Sequence, residues 1–271
     1  MHVQPWSAWF RSNGNDVLNE LAQLLGLAQA ALLTGGIVFL RVGAAMSVLP
    51  AFGERMIPGR VRLVLALALT VLVAPAVAPT FANVSVAGLQ LVIAETVTGL
   101  AFGMALRLMI IALQVAGSVA AQSTSLAQVF GNASIEPLPA IGHVLLFGGL
   151  ALATLTGLHV QIVAALVETY ELFPPGQAPT PALLTDWGVS RIAKCFSLGF
   201  TLAAPFVITA FLYNLALGVI NKAMPQLMVA LVGAPAITGA GLALLALTAP
   251  LTLQIWLDTL NGVMANPFGA Q

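Results

Sequence analysis

Long apolar runs alternate with short polar breaks along this chain, and the spacing of the breaks is that of membrane-crossing helices. The first run extends from about Leu24 to Leu49 and stops at Pro50. A second covers Leu63 to about Ala78, closed by Pro75 and Pro79, and a third runs from Leu89 to Val115. A less apolar stretch, Ala116 to Glu136, precedes a fourth run from Ile141 to about Val167. The last two span about Phe196 to Ile220 and Leu227 to Leu257. Crossing a hydrocarbon core takes roughly 20 residues of helix, which several of these runs supply. The pattern predicts an all-α membrane protein of about six long helices.

Composition agrees. Hydrophobic residues make up 59% of the chain and charged residues 7%, a surface that a soluble domain of this length cannot solvate. The nine basic and nine acidic residues cancel, and no run of Lys and Arg could follow a phosphate backbone, so nucleic acid is not an expected partner. Cys195 is the single cysteine, which rules out an internal disulfide. The first run is too long for a signal-peptide core and has no small-residue cleavage site after it, so it reads as a retained span. Arg55, Arg60 and Arg62 follow the first span, and in a six-span count they share a side with Lys222. The positive-inside rule makes that side cytoplasmic and leaves both termini outside, although Arg191 and Lys194 fall on the opposite side.

Few residues offer chemistry. Glu95 and Arg107 share one apolar helix, where an unpaired charge costs several kcal/mol by roughly any scale. They stand about 18 Å apart along it and cannot pair with each other; Arg41, one span earlier, is one possible partner for Glu95. Two readings follow: a proton or ion relay through the membrane, or interhelical ion pairing and subunit contact. His143 and His159 would lie about 24 Å apart on a continuous fourth helix and could not share a metal. No Gly-x-Ser-x-Gly elbow or HExxH pair occurs, and nothing points to an enzyme or a cofactor. Gly99 and Gly103 form a small-xxx-small pattern suited to close helix packing, with Gly35-Gly36, Gly148-Gly149 and Gly239-Ala240-Gly241 as further points of approach.

Two polar segments stand out. Pro225 predicts that the helix arriving through Ile220 stops near Met224, with Asn221, Lys222 and Gln226 able to reach orphaned backbone groups in a hairpin turn. The stretch Gly117 to Gly131 is small, weakly polar and uncharged. It suits a loop at membrane depth that plugs a pore, and equally an amphipathic connector.

Taken in order, Arg41 to Met46 with Pro50, Phe52-Gly53, Pro58 and Arg60-Val61-Arg62, then Gly117 to Gly131, then Gly157-Leu158-His159 with Pro174-Pro175-Gly176, resemble motifs of the FliR family of flagellar type III export-gate proteins. The most specific match is Asn221 to Leu227 with Val232-Gly233-Ala234-Pro235. The chain departs from the family at Lys222, Met228 and Leu158, where arginine, asparagine and histidine are usual, and Glu136-Pro137 matches an acidic-proline pair only loosely. Ala223-Met224-Pro225-Gln226 is more similar to the flagellar branch than to the virulence-type one.

The resemblance implies a FliP-like part over residues 1–190, with a re-entrant plug loop at 117–136, fused to a FliQ-like helical hairpin over 191–271. It implies no cofactor and no enzyme. It implies a helical hetero-oligomer with FliP-type and FliQ-type proteins and other export-apparatus components in the bacterial inner membrane at the flagellar basal body, with unfolded proteins in transit. Gly117, Gln122, Ser123, Thr124, Ser125, Gln128 and Phe130 would then close the channel. Asn221, Lys222, Met224, Pro225 and Gln226, with Arg41, Glu95 and Arg107, would make assembly contacts. The alternative is a secondary transporter with Glu95, Arg107 and Arg41 as its relay, and the lack of a visible inverted repeat weighs against it.

Overall fold

Seven α-helices and one short 3-10 turn account for the regular structure, with no strand among the described residues. The computed structural model describes residues 6–49, 58–81, 88–124, 140–223 and 229–269. The helices are α1 (Trp6–Val48), α2 (Gly59–Val77), α3 (Leu89–Thr124), α4 (Ala140–Leu155), α5 (Leu158–Leu172), α6 (Pro181–Ala223) and α7 (Val229–Ala265), and the 3-10 turn Ala78–Phe81 follows α2. Five helices are long and apolar enough to cross a membrane, or six spans if α4 and α5 are one broken span. The all-α expectation therefore holds.

Helix α3 is the most enclosed of these and the axis of the bundle. Its small residues set the geometry. A Cβ on Gly99 would lie 2.2 Å from the Arg41 carbonyl oxygen of α1, and one on Gly103 would lie 2.6 Å from that of Ala45. The Gly99 and Gly103 pair thus brings two backbones together, as the small-xxx-small spacing predicts. Contact positions rise together along both helices, so α1 and α3 are parallel. The same holds for α3 and α6, where Cys195 donates to the Leu108 carbonyl (3.1 Å) and Gly199 lies against Ala112 and Val115. Gly117 meets Gly142 and Leu113 meets Gly149, which makes α4 antiparallel to α3. Trp256 of α7 is fully buried and donates to the Met109 carbonyl of α3 (2.8 Å). Gly35 and Gly36 have open space around them and mark no close approach.

Two expectations need correction. The fourth span is not continuous: α4 and α5 meet at a 72° bend. Gly157 sits there at φ +86°, a conformation open to glycine, and its amide donates to the Thr154 carbonyl (3.1 Å), which ends α4. His143, stacked on Phe147, and His159, exposed, consequently stand on different helices. Second, the segment from Gly117 does not begin as a loop, because α3 continues to Thr124. Ala116, Ala120 and Ala121 favour helix, and the hydroxyls of Ser118 and Ser123 bond back to the carbonyls of Val115 and Ala120 instead of breaking it. Gly117 is used for the approach to Gly142. Ser125, Gln128 and Phe130 lie outside the described residues. Helix α6 runs unbroken from Pro181 to Ala223, across positions 190 and 191.

Helices α6 and α7 pack against each other. The described part of α6 runs to Ala223, and that of α7 starts at Val229. Trp187 meets Pro267 near one end and Phe206 shares a crevice with Leu244 further along, so the two are antiparallel. Lys222 is exposed at the tip, and Met224, Pro225 and Gln226 lie outside the described residues.

A buried ion-pair cluster as candidate functional site

Arg41 and Glu95 meet where α1 crosses the first turns of α3, and both side chains are fully buried. Arg41 Nε donates to Glu95 Oε2 (2.8 Å) and Nη2 donates to Oε1 (3.1 Å), a two-point contact that matches the planar fork to the carboxylate. Nη1 donates to the carbonyl (3.0 Å) and the hydroxyl (3.2 Å) of Thr169, and Nη2 donates also to the Phe173 carbonyl (2.9 Å). A guanidinium has five N–H donors, and all of them are used here. The Gly176 amide, in a turn with φ +83°, donates to Glu95 Oε1 (3.1 Å). Tyr170 covers the cation with its ring, 3.7 Å from Cζ, a cation–π contact in a dry setting. Its buried hydroxyl has no hydrogen-bond partner among the described residues.

Four elements are tied at this point: α1, α3, the end of α5 and the turn that leads into α6. The contacts are long-range, with Arg41 and Phe173 separated by 132 positions in sequence. A relay residue must give up or take a proton and then reorient. Every donor of the Arg41 fork is engaged within the chain, so reorientation would break several contacts at once.

Arg107, the third member of the expected set, is elsewhere. Its Nη1 approaches the Val48 carbonyl (3.4 Å), one of the carbonyls left open at the C-terminal end of α1, where a cation also complements the helix dipole. Replacing Arg107 by alanine is therefore expected to destabilise by about 0.3–1 kcal/mol. Thermal unfolding of the purified protein in detergent measures this, and a loss as large as that from Glu95 would contradict the separation of the two sites.

Arg191, which argued against the topological count, is also nearly buried, at 5% exposure. Its Nη2 lies within hydrogen-bond range of the carbonyls of Asn266 (2.8 Å), Pro267 (3.2 Å) and Gly269 (2.9 Å). A guanidinium held by internal carbonyls is not a loop charge, so its vote on orientation lapses. At the surface, Glu168, Glu171 and Asp186 are exposed toward the end of the bundle that carries Arg41, and Arg60 and Lys222 are exposed toward the other. No group of three or more His, Cys, Asp or Glu that could hold a metal occurs among the described residues.

An all-α chain with five or six apolar spans among its described residues, pinned by a buried, fully bonded ion pair and by glycine crossings, is a polytopic membrane protein. The sequence pattern of one family, described as bacterial export proteins, family 1, matches residues 32–263. The chain is 35% identical to the flagellar biosynthetic protein FliR of Caulobacter vibrioides over 82% of its own length and 90% of that protein's. It is 31% identical to FliR of Aquifex aeolicus (81% and 86%) and 30% identical to FliR of Escherichia coli (78% and 82%). The chain belongs to the bacterial export proteins, family 1, and its resemblance to FliR holds over most of its length.

Proposed function

We propose that the chain is a subunit of the flagellar protein-export apparatus that helps form and seal the conduit for unfolded flagellar subunits. It assembles with FliP-type and FliQ-type proteins in the bacterial inner membrane at the flagellar basal body. The observation that supports assembly is the mismatch between helix length and membrane thickness. Helices α1 and α6 have 43 residues each, about 64 Å of helix against a hydrocarbon core of about 30 Å. Their uncovered apolar faces lie toward opposite ends of the bundle: Leu18, Leu25, Leu27 and Leu32 on α1, and Phe211, Leu212, Leu215 and Val219 on α6. Lipid cannot wet both, and neighbouring subunits with apolar helices can.

The seal is assigned to the end of α3 and the uncharged stretch that follows it: Gln122, Ser123 and Thr124, then Ser125, Gln128 and Phe130. The chain contributes no catalysis and holds no cofactor, so the energy for export comes from other parts of the apparatus. The turn from Asn221 to Gln226, with Lys222 exposed beside it, serves as the cytoplasmic contact with neighbouring subunits. The transporter reading is not favoured, because Arg41 and Glu95 are locked together and Arg107 is held at the end of α1.

Deleting residues 125–136 tests the seal. In the assembled complex, reconstituted into vesicles, the deletion is expected to raise ion leak well above that of the intact complex while leaving assembly unchanged. An unchanged seal in a normally assembled complex would remove the assignment.

A further inference from the structure

Arg191 has no part in the role proposed above, and its surroundings connect it to the Arg41 cluster. It is a buried cation without a carboxylate partner among the described residues, solvated by three main-chain carbonyls of the turn that follows α7. One helical turn earlier, Trp187 Nε1 donates to the Pro267 carbonyl (2.9 Å), so two donors on one face of α6 grip the same short segment. The turn is closed by the Gly269 amide, which donates to the Asn266 carbonyl (3.3 Å).

Between these carbonyls, Phe268 points inward. Its ring stands 5.7 Å from that of Trp187 and 4.9 Å, edge to face, from that of Phe173. Phe173 is the residue whose carbonyl accepts from Arg41, and Gly176, three positions on, donates to Glu95. A continuous path of contacts therefore runs from Arg191 through residues 266–269 and the Phe268–Phe173 pair to the Arg41–Glu95 cage. Phe173 and Phe268, the two rings of the edge-to-face pair, thus lie in the two short segments whose carbonyls accept from Arg41 and Arg191.

We propose that residues 266–269 are a strap that pins the α6–α7 hairpin against the turn between α5 and α6 and positions the Phe173 carbonyl for Arg41. The two buried guanidinium groups are then held or released together, and Arg191, Trp187 and Phe268 are positioning residues for a cluster they do not touch. The inference is independent of the export reading, since it concerns only contacts within the chain.

Hydrogen exchange on the full chain, purified in its membrane complex, tests the coupling. Phe268→Ala removes the aromatic bridge and leaves both guanidinium groups in place. It is expected to raise exchange at the amides of Asn266, Phe268 and Gly269 and also at those of Phe173 and Gly176, the last reporting on the cage, by about two- to tenfold, the scale of one aromatic pair. Amides of α2 should be unchanged. Arg191→Leu should raise the same two segments further, and if that variant does not accumulate, Phe268→Ala decides alone. A rise confined to residues 266–269 would show an independent turn and overturn the proposal. A uniform rise through the whole chain would overturn it as well.

Discussion

Replacing Glu95 by glutamine will keep the chain from accumulating as a folded membrane protein. The substitution is isosteric but leaves Arg41 fully buried with its charge uncompensated. Removing one partner of a buried pair costs about 3–5 kcal/mol, and net stabilities of about 5–15 kcal/mol leave little to absorb it. The amide also presents one acceptor oxygen where the carboxylate offers two, so Arg41 loses one of its two Glu95 contacts and the Gly176 amide must compete for what remains. The companion variant is Arg41→Leu with Glu95→Leu. Apolar side chains in place of a buried pair are often neutral or stabilising, so this double variant should restore much of the accumulation that Glu95→Gln loses. Membrane levels of the single and double variants, followed by immunoblotting and thermal unfolding, separate the readings. A relay predicts normal levels with lost transport for Glu95→Gln, and that result would sink the reading of the pair as interhelical ion pairing.

Gly99→Val is expected to have an effect of similar size through a different route. A Cβ at this position would sit 2.2 Å from the carbonyl oxygen and 2.9 Å from the carbonyl carbon of Arg41. The obstacle is backbone, so no side-chain rotation relieves it and α1 must move away. Overpacking of this kind costs about 1–3 kcal/mol and occasionally more. Here the displaced residue is Arg41 itself, and separation of the helices also opens the ion pair. Glu95→Gln and Gly99→Val should therefore be non-additive, the double variant losing less than the sum of the two. Unfolding midpoints of the four proteins provide the cycle. Full tolerance of valine at Gly99, with an unshifted midpoint, would mean that the helices do not cross as closely as described.

Much of the fold was legible because apolar runs carry it. The spans follow from the length of the apolar runs, and close packing at Gly99 and Gly103 follows from their spacing, although the spacing does not name α1 as the partner. The break at Gly157 was not legible. A glycine inside an apolar run is ordinarily a packing position, and only the positive φ distinguishes a turn from a crossing. The Gly117 segment misled in the opposite sense, since weak polarity resembles a loop while alanines and back-bonded hydroxyls sustain helix. At the site, the pairing of Arg41 with Glu95 could be drawn from charge economy alone. Thr169, Tyr170 and Phe173 could not, because they act through carbonyls and a ring face, which no residue pattern announces. Pro174-Pro175-Gly176 gave a signal without a meaning, and the Gly176 amide on Glu95 supplies it. Arg191 was misread as a loop charge because burial by main-chain carbonyls leaves no trace in composition.

The separation between the partners of the cage also sets an order in time. Glu95 and Gly176 are 81 positions apart, and at roughly 5–20 residues per second a ribosome needs about 4–16 s to pass from one to the other. During that interval α1 and α3 can already be in the membrane with Arg41 and Glu95 joined, while the acceptors on Thr169 and Phe173 have yet to be made. The nascent protein thus carries a half-finished polar knot in an apolar setting, and synthesis of the α5–α6 turn completes it. A chain stalled before Phe173 holds the charges without the groups that settle them, which makes that interval the vulnerable one for quality control in the membrane.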